Sequence, residues 1–539
     1  MEVVASKVQI IKDAICTLYF YLNRCSNEKA EKIYVYIDNI LTDIDKQLKD
    51  GICGWHTYLY TLYKMLFQTR DCINGKGERI ASYVFLCAFY KHYPQQSMYA
   101  LHNFALYFGS WGDIKYFCGF VKEFKLLDAQ TKNNLITTAV DILIYQFDMD
   151  CSIWNIAFSD YLQKLEREPF AKHDRPYAPD MISFTAKWIP RESSAYGWLN
   201  DIIVRRYYTI HMPFLFDESS TMPNMNKLKM DFRKKIAALN RELKTCQTYM
   251  TNKKTDLIEP SRVTLQTIIR QNDVFFNYDR KGCDYDQDII CDRFHQYVDS
   301  ENIGRHCKKN MNISLDLLVK KGFKLIGQRF DCSCAYQIKL LDQLWTKLCA
   351  SFCYSLSAIP IIDLSGGQKY NAIGMGILIA QLSTYKKLIV CENQFDVLTI
   401  DVSESFTDIL RRLNDYKCVF FHIRGLFSFL YEKHNSGYID PMQYVILSSE
   451  KNILVCQEEI RDYYDKNVNI VFWNVLTCDE TVKDLVLSRF FYVSGSSPKL
   501  IDLLRHCDKN GSGSKKSNKF FDILCESLQK YDFVNQIMF

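Results

Sequence analysis

The sequence is poor in residues that break regular secondary structure. Its 539 residues include 21 glycines and 11 prolines, against 35 tyrosines and 35 phenylalanines. This scarcity excludes collagen-like and low-complexity chains, which contain much more glycine and proline. With 48% hydrophobic and 24% charged residues, the chain is also too apolar to be disordered. We therefore expect a globular protein with long helices, and its length suffices for two or more domains.

Other signals are missing as well, and each absence narrows the possible functions. No uninterrupted apolar run reaches about 18 residues, so we expect no transmembrane helix and no membrane insertion. The stretch MEVVASKVQIIKDAICTLYFYL lacks the charged, apolar and small-residue regions of a signal peptide. The 21 cysteines show no paired CxxC spacing. This pattern favours free thiols in the reducing cytoplasm over a disulfide framework.

Residues 1–345 show the periodicity of helices. Apolar residues recur at helical spacing in VQIIKDAICTLYFYL, GWHTYLYTLYKMLFQ and RIASYVFLCAFYKHY. Short polar stretches such as RDCINGKGE and YFGSWGD separate these segments. Consecutive helices with short connections predict an α-helical, solenoid-like body built from irregular helical pairs.

The pattern changes near residue 350, and residues 355–539 form a second predicted domain. Short apolar runs typical of strands buried on both faces alternate with helical patterns such as YNAIGMGILIAQLS and SFTDILRRLND. Such alternation predicts a doubly wound, Rossmann-like α/β domain. The stretch NGSGSKKSNK (510–519) is predicted to be a surface loop. The predicted strands are AIPIIDL (358–364), KKLIVCE (386–392), CVFFHI (418–423), YVILSS (444–449) and VNIVFWNV (468–475).

Eight stretches together resemble a family known as domain of unknown function 2828 (DUF 2828), which occurs in plants, fungi, bacteria and large DNA viruses. The resemblance implies a helical, TROVE-like body joined to a von Willebrand A-like domain, a layout similar to that of the Ro autoantigen. It implies no established activity. The stretches are RDCINGKGER (70–79), FGSWGDI (108–114), KWIPRESS (187–194), DFRKKIAALNRELKTCQTYM (231–250), IIDLSGG (361–367), AIGMGILIA (372–380), FWNV (472–475) and VSGSSPKL (493–500).

The stretch IIDLSGGQK (361–369) contains LSGGQ, the signature of ABC-type ATPases. That signature acts only together with a Walker A loop, GxxxxGK[ST], and nothing in the sequence matches it. The nearest stretch, GSGSKKS (511–517), has a lysine where the second glycine is required. The sequence therefore argues against an ATPase.

The front of the same stretch resembles the metal-binding loop of a von Willebrand A domain, Asp-x-Ser-x-Ser. Asp363 and Ser365 match this pattern, Gly367 replaces the second serine, and Ser403 is the best-placed later hydroxyl, with Ser405 and Thr407 as rivals. The strand YVILSS ends in serines where the family has an aspartate. We therefore predict a degenerate metal site that binds Mg²⁺ weakly or not at all. The alternative is that Asp363 and Ser365 only shape the loop.

Basic residues in the predicted helical body are candidates for binding RNA. The net charge of +5 is too small for a global field, so such binding requires local patches. Interleaved aromatic residues would suit stacking on unpaired bases. The alternative is that these cations form solvated helix faces and that KWIPRESS is a structural junction. The candidates are Arg70, Lys76, Arg79, Lys187, Arg191, Arg233, Lys234 and Lys235.

No catalytic constellation is visible, so the sequence favours a non-catalytic scaffold that binds RNA or a protein partner. Two alternatives remain at this stage. One is a structural component of a large DNA virus, packaged in the virion beside other virion proteins. The other is an enzyme of unrecognised type.

Overall fold

The computed structural model describes residues 2–22, 25–51, 54–168, 178–216, 224–252, 254–276, 286–300, 314–327, 332–365, 369–391, 395–401, 403–416, 423–435, 443–448, 469–475, 490–495, 497–504 and 516–537. The chain divides into two compact units. Unit 1 combines residues 1–82 with 259–538, and unit 2 comprises residues 83–258. The division predicted between residues 345 and 355 stays a prediction.

Most of the described chain is helical, as predicted. The helices are α1 (Glu2–Tyr21), α2 (Asn27–Lys49), α3 (Trp55–Arg70), α4 (Arg79–His92), α5 (Pro94–Asn103), α6 (Gly112–Glu123), α7 (Ala129–Arg167), α8 (Ala178–Met181), α9 (Thr185–Trp188), α10 (Gly197–His211), α11 (Met225–Glu242), α12 (Cys246–Thr251), α13 (Leu265–Arg270), α14 (Asn272–Phe276), α15 (Asp286–Asp299), α16 (Leu315–Ile326), α17 (Cys332–Ala350), α18 (Lys369–Leu382), α19 (Phe406–Asn414), α20 (Ile423–Asn435) and α21 (Lys516–Ser527). None of the described helices is both long and apolar enough to cross a membrane.

The strands of unit 1 form one six-stranded sheet in the order β3-β2-β1-β4-β5-β6. Neighbouring strands are parallel except β2 and β3, which are antiparallel. Four predicted strands are confirmed as β1, β2, β4 and β5, whereas β3 and β6 were not predicted, and most of CVFFHI lies outside the described residues. The strands are β1 (Ala358–Asp363), β2 (Lys387–Cys391), β3 (Phe395–Thr399), β4 (Gln443–Ser448), β5 (Asn469–Asn474) and β6 (Phe490–Ser494).

Helix α18 packs against both β1 and α16 within unit 1. Two glycines make this close packing possible. A Cβ at Gly376 would lie 2.5 Å from the side chain of Ile362, and a Cβ at Gly374 would lie 2.9 Å from that of Leu315. Because atoms cannot approach so closely, the stretch AIGMGILIA is explained by packing on two faces of one helix.

The C-terminal part of the chain packs on the N-terminal helices within unit 1. Helix α21 contacts α1, and the 3₁₀ segment Gln529–Gln536 contacts α3. The Tyr60 hydroxyl donates a hydrogen bond of 3.0 Å to the Ile537 carbonyl. The prediction of a loop over residues 510–519 was wrong from Lys516 onward, where α21 begins. The apolar residues of KFFDILCESL recur at helical spacing and favour this helix. The glycines of the predicted loop, Gly511 and Gly513, come before its first residue.

The described residues of unit 2 form helices joined by loops, and α7 is the longest of these helices. Asp128 caps α7, since its carboxylate accepts a hydrogen bond of 2.8 Å from the Thr131 N–H. The helix packs against α6 and α10. Arg206 on α10 forms a two-point ion pair with Asp141 on α7, with distances of 2.7 and 2.9 Å. Helix α7 also packs on α9, and α10 packs on α11, so these two long helices support the short helix and the amphipathic helix beside them.

Candidate functional site

The candidate metal loop begins at the carboxyl end of β1, the edge where open α/β sheets present their ligands. Asp363 ends β1 and is buried. Its Oδ1 accepts hydrogen bonds from the backbone N–H of Ser365 at 2.8 Å and from the Ser365 hydroxyl at 2.5 Å. Its Oδ2 accepts one of 2.5 Å from the hydroxyl of Ser448, which is buried at the end of β4. Both carboxylate oxygens are therefore engaged within the protein.

The other predicted ligand, Ser403, has a different partner. Its backbone N–H and its hydroxyl both donate to Asp401 Oδ1, at 2.9 and 2.8 Å. The two rival hydroxyls are engaged as well. Ser405 caps α19, and the Thr407 hydroxyl donates to Asp342 at 2.9 Å. The structure thus joins Asp363 to Ser365 and Ser448, and it gives Ser403 a separate, exposed turn.

These residues do not fit a tightly bound divalent ion. Mg²⁺ prefers several oxygen ligands with carboxylates among them. The loop supplies a single carboxylate, and in this arrangement the hydroxyl protons point toward it. No group of three or more histidine, cysteine or acidic side chains suited to a metal occurs in the described part of the chain. Gly367 itself lies outside the described residues.

Three of the basic residues predicted to bind RNA lie in unit 1. Arg79 is exposed at the start of α4. Arg70 and Lys76 are buried, with 2% and 7% of their surface exposed. Arg70 donates to the Cys72 sulfur, whereas the Lys76 ammonium donates to the Tyr19 carbonyl and lies 3.7 Å from the centre of the Tyr19 ring. Two of these three cations therefore have no access to a phosphate in this arrangement.

The loop between α3 and α4 instead holds distant parts of unit 1 together. Asp71 is buried and accepts hydrogen bonds from two backbone N–H groups of the loop and, at 2.8 Å, from the Tyr531 hydroxyl. The Ser497 hydroxyl donates to the Gly75 carbonyl at 2.9 Å. A Cβ at Gly75 would lie 2.1 Å from a carbonyl oxygen of α3. The stretches RDCINGKGER and VSGSSPKL therefore meet in a structural junction.

The other predicted basic residues lie in unit 2, where two separate stretches meet. Helix α9 packs on α11, and the Asn240 side chain donates a hydrogen bond of 3.0 Å to the Ala186 carbonyl. The Arg233 guanidinium, on a side chain that is 70% exposed, lies 4.0 Å from the Glu192 carboxylate. We call the exposed cations of these stretches the basic face. The basic face consists of Lys187, Arg191, Arg233, Lys234 and Lys235.

Carboxylates only partly neutralise this face. Glu192 lies near Arg233, and Asp231 lies 3.7 Å from the Lys235 ammonium, one helical turn away. Both pairs are exposed, so each contributes little to stability and remains open to exchange with another anion. In the described part of the chain, Asp148 also interacts with Lys235, so five cations of the basic face stand against three nearby carboxylates.

Ammonium groups approach half-buried aromatic rings of unit 2, and one of these ammonium groups is that of Lys187 in the basic face. Two ammonium groups approach Trp188, that of Lys115 at 5.0 Å and that of Lys187 at 5.9 Å from ring centres. The Lys122 ammonium lies 4.5 Å from the centre of Trp198. Cations within about 6 Å of a ring are attracted to its face. Rings and cations in one region are the combination that binds unpaired nucleotides.

Sequence reasoning missed the contribution of α6 to this region. The stretch DIKYFCGFVKEF shows alternating lysines and rings, but its periodicity alone does not tell which segment packs against it. In the structure, two glycines of α6 let rings of the segment 184–198 approach. A Cβ at Gly112 would lie 2.9 Å from Trp188, and a Cβ at Gly119 would lie 2.6 Å from Tyr196.

No family model and no curated protein matches the chain. Among solved structures, the chain is similar to the Ro (RSR) protein of Deinococcus radiodurans, with a TM-score of 0.40 and 10% sequence identity. The match covers 84% of this chain and 91% of that one. The resemblance to DUF 2828 stays a prediction.

Proposed function

We propose that this protein is a non-catalytic scaffold that binds single-stranded RNA through the basic face of unit 2. The observation that supports this most is the meeting of α9 and α11, which gathers exposed cations from two distant stretches beside half-buried rings. The cations attract phosphates, and release of counterions drives binding. The rings offer flat surfaces on which unpaired bases stack.

We also propose that residues 355–539 form a von Willebrand A-like domain whose metal loop has become structural. The strand order, with the candidate loop directly after the central strand β1, supports this assignment. The hydrogen bonds from Ser365 and Ser448 to Asp363 take the place of ion ligation. The domain would then have a structural role in the scaffold, and it would not bind a partner through a metal ion.

The RNA proposal is tested by fluorescence anisotropy with a labelled single-stranded RNA of mixed sequence. We expect binding that weakens with salt. At about four phosphate contacts, a fourfold rise in salt should weaken it about 50-fold, given a slope of about −0.7 per contact. Reversing the charges of the basic face with Arg233→Glu, Lys234→Glu and Lys235→Glu should abolish most of this binding.

A matched control carries the same change in net charge elsewhere. Lys320→Glu, Lys339→Glu and Arg411→Glu reverse three exposed cations of unit 1. We expect this variant to bind RNA as the unmodified protein does. Equal losses in both variants would mean that only net charge matters. No loss in the basic-face variant, or no RNA binding by the unmodified protein, would refute the proposal.

A further inference from the structure

Three aromatic rings of unit 2 surround a single ammonium group. The Lys115 Nζ lies 4.5 Å from the centre of the Tyr116 ring, 5.0 Å from Trp188 and 5.3 Å from Tyr196. Tyr116 meets the other two rings edge to face, at interplanar angles of 65° and 84°. Rings at steep angles to one another form the walls of a cage, and all four side chains are half-buried at the surface.

The walls of this cage are fixed by packing. Gly112 and Gly119 lie on α6 at the points where Trp188 and Tyr196 rest, with no room for a Cβ at either position. Tyr116 lies on the same helix between them. Since the backbone of α6 sets the positions of two rings and carries the third, the cage does not depend on Lys115 for its shape.

The spacing is too wide for the closest approach of a bare ammonium. In unit 1, the Lys76 ammonium comes within 3.7 Å of the Tyr19 ring centre. A methyl carbon contacts a ring at about 3.5–4.0 Å, and its bond to nitrogen adds about 1.5 Å. An N-methylated ammonium therefore places its nitrogen about 5 Å from each wall, which matches the three distances at the cage.

We propose that Tyr116, Trp188 and Tyr196 form a binding site for a methylated ammonium group, such as that of trimethyl-lysine or choline. The Lys115 ammonium occupies this site in the structure and therefore competes with the ligand for it. This ammonium is strongly hydrated when free, so a less hydrated methylated cation displaces it into water at little cost. Aromatic cages of this kind are the known mode of recognising quaternary ammonium ligands. The site shares Trp188 with the proposed RNA-binding region, but choline binding tests it whether or not the protein binds RNA.

The test is a calorimetric or NMR titration of the full chain with choline. We expect Lys115→Ala to bind choline at least about tenfold more tightly than the unmodified protein, because the competitor is gone. Lys122→Ala is the matched control, since its ammonium faces one ring, that of Trp198, and it should leave choline binding unchanged. Lys115→Gln provides a second variant, and thermal unfolding shows that each variant is folded.

A neutral ligand of the same shape separates cation recognition from apolar contact. We expect 3,3-dimethylbutanol to bind Lys115→Ala at least about tenfold more weakly than choline, because it lacks the charge. Adding Tyr196→Leu to Lys115→Ala should remove the gain in choline binding. Equal binding of the two ligands, or no gain of the Lys115 variants over Lys122→Ala, would overturn the proposal.

Discussion

The Asp363 loop of unit 1 and the basic face of unit 2 were both candidates for ligand binding, and they have opposite structures. Asp363 is buried, and three hydrogen bonds from Ser365 and Ser448 satisfy its two oxygens. The cations of the basic face are exposed, and only some have an acidic neighbour. One site is closed by the protein itself, and the other is open to solvent.

The difference shows what a buried charge requires. A carboxylate that leaves water must find hydrogen-bond donors, or its desolvation is not compensated. Ser448 at the end of β4 supplies such a donor. Exposed cations have no such requirement, because water already solvates them. A charged group thus becomes structural when it is buried with its partners, and it remains available for binding when it is exposed.

The largest effect should follow removal of the buried carboxylate. Asp363→Ala breaks three hydrogen bonds and leaves the buried Ser448 hydroxyl without its carboxylate acceptor. The free energy of unfolding should therefore fall by about 2–4 kcal/mol. The midpoint of urea unfolding measures this. Asp401→Ala is the control, because Asp401 accepts the same two bonds from Ser403 while exposed. It should cost less than about 1 kcal/mol. Equal losses would contradict a structural role for burial at Asp363.

A smaller effect on stability should distinguish Lys76 from Lys187, two lysines that were both predicted to bind RNA. Lys76→Ala removes a buried cation from its ring and carbonyl partners, and should reduce stability by about 1–3 kcal/mol while RNA affinity stays unchanged. Lys187→Ala should leave stability within about 0.5 kcal/mol. It should instead make the affinity for RNA less dependent on salt. The slope of log affinity against log salt concentration should become shallower by about 0.7, the value expected for one phosphate contact. The opposite pattern would show that the basic face is misassigned.

The smallest effect is expected from metal ions. A site with a Kd of about 1 µM would stabilise the protein by about 4 kcal/mol in about 1 mM Mg²⁺. We expect no shift of the unfolding midpoint on adding Mg²⁺ or Mn²⁺, nor on adding a chelator. A stabilisation by Mg²⁺ that disappears in Asp363→Ala would show that the loop still binds an ion.

Much of the secondary structure could be predicted from the sequence. The strands β1, β2, β4 and β5 are continuous apolar runs, because both faces of the sheet are covered. Strand β3 was missed because it is an edge strand with half-exposed residues, so that FDVLT shows no apolar run. Strand β6 was not among the predicted strands, although its apolar run of four residues, FFYV, is as long as the run YVIL of β4.

The candidate sites were predicted less well. Asp363 and Ser365 do lie together, since they are two residues apart on one loop. The partnership of Asp363 with Ser448 links two strands that are 85 residues apart, which no local pattern reveals. The burial of Arg70 and Lys76 depends in the same way on distant segments, as does the cage of Tyr116, Trp188 and Tyr196.

The sequence by itself determined where the helices and the central strands form, because periodicity and apolar runs act over neighbouring residues. It also located the charged and aromatic residues from which any site must be built. Only the tertiary structure decided which of those residues are enclosed and which face solvent. That outcome depends on contacts between segments far apart in the chain, and burial then changes what the same side chain does.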